Sequence, residues 1–318
     1  MENFSSIQKI PVSGHAELEF ADIRVGRDNR LFVDPSRIHL AALSGDPWAV
    51  KADTLIESYF HTLCHAAEGK DVAMIHSLIT GTCGEINATH LGLSSGRPAG
   101  NGASFDLIFP VICQMIDSGM FDHKLVNEIA DVPIWAEGIS SDRLSDWVTN
   151  IIWPVLEEFT RAQYLKYALV TPACPMQSQY AWNPDSCSWV KNTRTVFSCG
   201  THDVLLCPKS FLHEHLLYST EDFLRKIVLK FRQREHLDQN SPFCRTSRKR
   251  DGSTVVKGPT KKTLMQIEVK GHRHHDYVYQ HSQAHPDYIT RYHSLYETRP
   301  GNTNRFISDN RLDELLYD

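Results

Sequence analysis

Three side chains that can bind a metal ion recur at four-residue intervals near the middle of the chain. Asp142, Asp146 and Asn150 would share one face of an α-helix, because a helix turns once in about 3.6 residues. Two aspartates at that spacing repel each other, so a divalent cation, a bound ligand or the adjacent Arg143 is expected to compensate. Hard divalent cations prefer carboxylate and amide oxygens. The spacing therefore predicts a Mg²⁺ or Mn²⁺ site, and Glu137 is a candidate third carboxylate ligand.

The elements around this cluster decide where it lies. The apolar run 132–136 predicts a buried strand that ends at Glu137, and Ser141 is a natural cap for the helix that follows. The apolar side chains of that helix fall on the face opposite the acids: Leu144, Val148, Ile151, Val155 and Phe159. Trp153 lies between the acids, so we expect another segment to cover part of this face, as in a cleft wall. The alternative is a water-exposed face whose first-turn aspartates favour the helix dipole.

A glycine-rich stretch, residues 81–102, precedes a helix expected over residues 104–118. Its glycines flank Arg97, and free backbone N–H groups at such a loop can cradle a phosphate. The stretch contains neither a Gly-Lys-Ser/Thr motif nor the dinucleotide fingerprint. A plain loop or a flexible lid is the alternative interpretation.

A second candidate for metal chemistry lies near the C-terminus. Residues 264–271 have the form of the Glu-x-Lys strand of PD-(D/E)xK nucleases, with Glu268 as an alternative metal ligand and Lys270 to orient or activate water. Asp251, upstream, would supply the other carboxylate. The alternative is a helix through residues 262–275.

The charge of the chain is unevenly distributed. The net charge is −5, yet residues 225–262 hold twelve Lys or Arg against three acids. A basic segment on an acidic body suggests contact with a polyanion, with Arg248, Lys249 and Arg250 as candidate contacts. The alternative is a solvated helix face followed by a mobile loop over residues 240–262.

The whole sequence indicates a mixed α+β protein, with helices around a small mixed sheet and a basic, partly flexible C-terminal region. We expect a main domain over residues 1–212 and a helical, basic region over residues 213–318, either separate or part of the same domain. No apolar run approaches the ~20 residues of a membrane helix. The first fifteen residues lack an apolar signal core, so we expect a cytoplasmic protein without a membrane partner.

Three segments together resemble a known group of proteins. They are Asn-Arg-Leu-Phe-Val-Asp-Pro at 29–35, the loop at 85–102, and Glu-Gly-Ile-x-x-Asp-Arg-Leu-Ser-Asp-x-x-x-Asn-Ile-Ile at 137–152. They are similar to a family of poorly characterised bacterial proteins associated with restriction or phage-defence neighbourhoods. The resemblance covers the chain to about Leu212. It implies a defence role, a nucleic-acid substrate and partner proteins encoded nearby.

These observations give a leading hypothesis and two alternatives. The leading one is a metal-dependent nuclease in anti-phage defence: Glu137, Asp142 and Asp146 hold Mg²⁺ or Mn²⁺, Asn150 positions them, and Lys270 or Lys209 assists at the phosphate. The substrate would contact these cations: Arg97, Arg143, Arg248, Lys249 and Arg250. The second hypothesis is a non-catalytic sensor or adaptor that binds a nucleotide or a phage component. The third is hydrolysis or transfer on a nucleotide such as NAD, using Glu85 or Glu137.

Overall fold

Two long helices form the centre of the protein. The computed structural model describes residues 2–84, 86–93, 105–170, 176–298 and 305–317. The helices are α1 (Phe4–Ile7), α2 (Pro35–Leu43), α3 (Pro47–Glu68), α4 (Val72–Thr82), α5 (Phe105–Asp117), α6 (Val132–Trp135), α7 (Ser141–Lys166), α8 (Thr220–Phe223), α9 (Leu229–Asp238), α10 (Lys261–Leu264), α11 (His274–Ser282), α12 (Asp287–Glu297) and α13 (Asp309–Leu316). Helix α3 packs against α7, where the Trp147 indole N–H donates to the Tyr59 hydroxyl at 3.2 Å.

Local signals explain where these two helices begin. Asp46 accepts hydrogen bonds from the Trp48 and Ala49 backbone N–H groups, and Pro47 occupies the first turn of α3, where no intrahelical N–H bond is lost. At α7 the cap is Ser140, one residue before the expected Ser141, and its hydroxyl accepts from the Arg143 N–H. The helix predicted after Glu137 is confirmed as α7.

The strands of the described residues form four separate two-stranded antiparallel sheets. Their bounds are β1 (Phe32–Val33), β2 (Met176–Asn183), β3 (Ser188–Thr195), β4 (Ser198–Cys199), β5 (His202–Asp203), β6 (Leu212–His213), β7 (Arg245–Arg248) and β8 (Thr254–Lys257). The pairs are β1–β6, β2–β3, β4–β5 and β7–β8. The protein is therefore mixed α+β, as expected, with these small sheets in place of one mixed sheet.

Three local predictions were wrong. The run 132–136 begins with helix α6 rather than a strand, because Glu128 and Asp131 cap each other's backbone N–H groups and start a helical turn. The Glu268 segment is a π-helical turn, Met265–Val269, that continues α10, in line with the helical alternative. The basic stretch expected to be a mobile loop contains the hairpin β7–β8, closed by a turn at Asp251 and Gly252.

Residues 213–318 pack directly onto the rest of the chain. Their buried apolar side chains belong to the same core cluster as those of residues 1–212. Near the C-terminus, the Leu316 carbonyl accepts from the Asn3 side chain at 3.1 Å, and Asp313 pairs with His15 at 2.6 Å. This packing favours the single-domain alternative. None of the helices in the described ranges has the length and apolar character that a membrane span requires.

A buried ion pair joins several of these elements. The Asp34 carboxylate caps α2 and pairs with the Arg37 guanidinium at 3.0 Å, and both side chains are buried. The same carboxylate accepts the Leu217 backbone N–H at 2.7 Å. Removal of Asp34 would leave the Arg37 charge buried without this partner, which is costly because a buried charge has lost its water.

We predict that Asp34→Ala lowers the free energy of unfolding by about 3–5 kcal/mol, the usual cost of breaking one side of a buried pair. Denaturant unfolding of the purified variant measures this change. Glu158→Ala is the matched control, because it breaks the exposed Lys51–Glu158 pair and should cost at most about 1 kcal/mol. Equal losses in the two variants would contradict the role given to Asp34.

Candidate metal centre

A cavity of about 760 Å³ lies beside α2 and α3. It is lined by residues of α2 and α3, by the segment 124–130 and by Cys187 in the turn between β2 and β3. Its volume is within the range of small-molecule and active sites, ~300–1,000 Å³.

The α3 wall presents metal-binding side chains at regular spacing. Asp53, Glu57, His61 and His65 follow one another at four-residue intervals, so they share one helix face, and all four line the cavity. Helix α2, which precedes α3, adds His39. The short turn at residues 44–46 folds α2 back against α3.

Three of these side chains converge closely enough to hold one ion. His39 Nδ1 lies 2.9 Å from Asp53 Oδ2 and 4.0 Å from Glu57 Oε1. All three ligand atoms lie within 4.8 Å of one another, and no other His/Cys/Asp/Glu group of that kind occurs among the described residues. The hydrogen bond with Asp53 is the main cause that raises the pKa of His39 to about 9. Without a cation, the three side chains therefore form an ion-paired cluster around an imidazolium.

One imidazole and two carboxylates suit a borderline divalent ion. Imidazole suits Zn²⁺ or Fe²⁺, carboxylates suit Mn²⁺, and Mg²⁺ prefers an all-oxygen shell. Three protein ligands leave coordination positions for water or substrate, which is the arrangement of catalytic rather than structural sites. The donor set therefore points to Mn²⁺ or Zn²⁺ before Mg²⁺.

Glu128, which also lines the cavity, contacts two further titratable groups, Asp131 and His293. Burial and the nearby Asp131 carboxylate raise the pKa of Glu128 to about 7, although His293 and His39 act in the other direction. His293 bridges the two acids, with Nδ1 3.3 Å from Glu128 and Nε2 2.7 Å from Asp131. Burial alone would lower the pKa of His293, but the Asp131 charge and hydrogen bond help to raise it to about 9. A carboxylic acid that titrates near neutrality lines the same cavity as the triad.

Glu137 and the residues predicted on α7 lie outside this cavity, and they do not form a group of three metal-binding side chains among the described residues. The Glu137 carboxylate is exposed and pairs with Arg273 at 3.2 Å. The buried Asn150 amide donates to the Gly84 and Asp146 carbonyls at 2.7 and 2.8 Å, so it fixes the backbone after α4 instead of positioning carboxylates. The expectation that another segment covers Trp153 is confirmed, because its indole donates to the Tyr180 carbonyl at 2.7 Å.

Asp142 and Arg143 make local contacts at the start of α7. Burial and the neighbouring Asp28 raise the pKa of Asp142, although its carboxylate accepts the Leu93 backbone N–H. A Cβ on Gly92, at φ +134°, would lie 2.9 Å from Asp142 Oδ1, so this close approach requires glycine. Arg143 donates to the Gly138 carbonyl. These contacts make Asp142 an anchor for the backbone at Gly92 and Leu93.

The alternative metal pair near the C-terminus is also not assembled. The Glu268 carboxylate accepts hydrogen bonds from Nε and Nη2 of Arg232 and from Tyr277, and it also contacts His236. Burial acts to raise the pKa of Glu268, but these contacts lower it to about 2. Asp251 instead accepts from Ser253 within the hairpin turn.

The predicted cations are dispersed. Lys270 is exposed after the π-helical turn, and Lys209 pairs with Asp309. Arg248, Lys249 and Arg250 are exposed at the end of the hairpin β7–β8. Arg97 and Glu85 lie outside the described residues.

The three segments that carry the family resemblance contact one another. The Asn29 amide donates to the His90 carbonyl at 2.8 Å, the Val33 N–H donates to the Ser145 hydroxyl at 2.9 Å, and Asp142 accepts from Leu93. Residues 9–219 match a domain of unknown function, DUF8370. The chain belongs to the DUF8370 family. Comparisons with curated proteins and with solved structures found no match.

The DUF8370 match includes His39, Asp53, Glu57 and Glu128, whereas His293 lies beyond it. Sequence reasoning missed this cavity. The repeat of Asp, Glu, His and His at four-residue intervals along α3 was the available local signal. The contribution of His39 and Glu128 depends on tertiary packing that spacing does not reveal.

We predict that Mn²⁺ binding releases about one proton per ion at pH 7, because His39, with its pKa near 9, must lose its proton to become a ligand. The apparent affinity should rise about tenfold per pH unit between pH 6 and pH 8. Calorimetry in two buffers of different ionisation enthalpy counts the protons.

His39→Gln should bind Mn²⁺ more weakly and remove this proton release. His293→Gln is the control, since His293 has a similarly raised pKa but lies outside the triad. Binding without proton release in the unmodified protein would exclude His39 as a ligand.

Proposed function

We propose that this protein is a metal-dependent hydrolase whose ion is bound by His39, Asp53 and Glu57 and whose acid–base group is Glu128. The observation that carries this proposal is that the metal-binding triad and a carboxylic acid with a pKa near 7 line one cavity. A group whose pKa is close to the working pH is best suited to exchange protons in catalysis.

The cavity contains the groups that such a reaction needs. A divalent ion at this triad would supply charge for a polarised substrate oxygen and lower the pKa of bound water. Glu128 can then accept or donate a proton, and its contacts with Asp131 and His293 hold it in position. The charge of Lys124 is balanced by Glu68. The other carboxylates leave the lining of the cavity predominantly acidic, so an anionic substrate depends on the ion for attraction.

We propose phosphodiesters, and nucleic acid in particular, as the substrate class. Support comes from the hairpin β7–β8, which presents Arg245, Arg248, Lys249, Arg250 and Lys257 as exposed side chains. Clustered, unburied cations are the usual means of contact with a phosphate backbone. The family resemblance supports a defence role, and the cytoplasmic location stays a prediction.

The direct test is a cleavage assay. The purified protein would be incubated with bis(p-nitrophenyl) phosphate, plasmid DNA, single-stranded DNA and RNA, with Mn²⁺, Zn²⁺, Mg²⁺ or EDTA. Glu57→Gln should remove metal-dependent turnover, because it replaces an exposed ligand with little risk to folding. Glu68→Gln is the matched control, since Glu68 lines the cavity but lies outside the triad. Loss of turnover in both variants or in neither would contradict the assigned ligands.

We predict that Glu128→Gln lowers kcat by about 10²–10⁴-fold, the usual contribution of an acid–base group, while Mn²⁺ affinity changes little. The pH–rate profile of the unmodified protein should show an inflection near pH 7, in accordance with the raised pKa of Glu128, and the variant should lack it. An inflection that persists in the variant would assign it to another group.

We predict that replacing Arg248, Lys249 and Arg250 together with alanine weakens single-stranded DNA binding and lowers the slope of log K against log salt by about 2, near 0.7 for each lost phosphate contact. Fluorescence anisotropy at several salt concentrations measures both quantities. The control removes three exposed cations outside the hairpin, Lys51, Lys166 and Lys191. Equal effects in the two triple variants would mean that the hairpin is not the contact surface.

A further inference from the structure

A second cavity, of about 590 Å³, lies at the open end of the hairpin β2–β3. Its lining includes Asn87, His90, Gln177, Gln179, Arg194 and Asp203. It shares none of them with the metal cavity, which touches the closed end of the same hairpin at Cys187. At about 3.3 Å per strand residue, the two ends are on the order of 20 Å apart.

The hairpin brings polar side chains to this cavity by strand alternation. Gln177 and Gln179 are two residues apart, so they point to the same face of the sheet. Arg194 is directly opposite Gln177 in the strand register and shares that face. Asn87 adds a third carboxamide from the segment 86–90.

The side chains around Asp203 are held in place by several contacts. Arg194 donates to the Asp203 carboxylate through both terminal nitrogens and to Gln177 at 3.0 Å. His90 lies 3.0 Å through Nε2 from the Asp203 carbonyl, and its left-handed backbone is held by Asn29. A Cβ on Gly26 would lie 2.9 Å from His202, so this glycine allows the imidazole to lie against the backbone.

These contacts leave the cavity polar but almost uncharged. The Arg194 guanidinium is neutralised by Asp203, and burial lowers the pKa of His90, so this imidazole is neutral at pH 7. Two buried atoms, Nδ1 of His90 and Nε of Arg194, have no hydrogen-bond partner among the described residues. Such unpaired buried atoms are rare in proteins, so the side chains around Asp203 do not satisfy every polar atom of this region.

We propose that this cavity binds a nucleoside, with the carboxamides of Gln179 and Asn87 against the edges of its base, since the Gln177 oxygen already accepts from Arg194. A carboxamide carries a donor and an acceptor side by side, the pattern that pairs with the edge of a nucleobase. The volume accommodates a base and its ribose, and the paired charge of Arg194 gives a free phosphate little attraction. The inference goes beyond the proposed hydrolase function, since it concerns a separate set of residues.

The experiment measures binding to the full chain by calorimetry. The probes are adenosine, guanosine, cytidine and uridine, their 5′-monophosphates, and inorganic phosphate. We expect at least one nucleoside to bind, its monophosphate to bind within about threefold of it, and phosphate alone not to bind. Failure of all four nucleosides, or binding carried by the phosphate, would overturn the proposal.

Two variants locate the site. Gln179→Ala should weaken nucleoside binding by at least tenfold, whereas Asn192→Ala should not, since Asn192 is the register partner of Gln179 but does not line the cavity. Glu57→Gln should bind the nucleoside normally, so failure of the hydrolase assay does not affect this test. Equal binding by Gln179→Ala and the unmodified protein, or loss in Glu57→Gln, would place the ligand elsewhere.

Discussion

The position of α2 depends on the buried ion pair between Asp34 and Arg37. Burial raises the pKa of the Asp34 carboxyl even with a guanidinium beside it. The loss of hydration therefore destabilises the carboxylate by more than the Arg37 guanidinium stabilises it. A pair of this kind contributes little net stability, but it tolerates few geometries. Here the Asp34 carboxylate caps the first turn of α2 and accepts the Leu217 N–H. The Asp34 backbone N–H donates to the Phe211 carbonyl. That geometry sets the direction of α2 and hence the place of His39.

The metal cavity follows from this geometry. Once α2 is fixed against α3, His39 meets the carboxylates of Asp53 and Glu57, and Glu128 lines the same cavity. Several acids near one another repel, and here two imidazoliums, His39 and His293, offset that repulsion. A divalent cation would compensate the same charges more strongly. The charges of the cluster are therefore balanced without an ion. A divalent cation can replace the proton on His39, and this replacement is the reason why metal affinity should depend on pH.

The sequence predicted elements better than it predicted the site. Helices α3 and α7 carry their own start signals, Asp46 with Pro47 and Ser140, so their bounds could be read locally. The helical turn at 132–136 could not, because a short apolar run fits a strand as well as a helix. The hairpin β7–β8 has an Asp-Gly turn, a recognised hairpin signal, but its exposed and charged strands lack the apolar alternation that predicts a strand. The residues that line the metal cavity are far apart in sequence, and no local sequence pattern predicts that they come together in space.

The motif that looked most specific in the sequence has an architectural role among the described residues. Ser145 receives the Val33 N–H, Asn150 holds the carbonyl of Gly84, and Asp142 receives the Leu93 N–H beside a glycine that admits no side chain. Each of these polar side chains is occupied by backbone from another segment, as buried or half-buried polar groups must be. Polar residues at regular spacing on one helix face are therefore compatible with two structures, a ligand site and a backbone anchor. The two are distinguished by whether the side chains face open volume, as on α3, or other segments of the chain, as on α7.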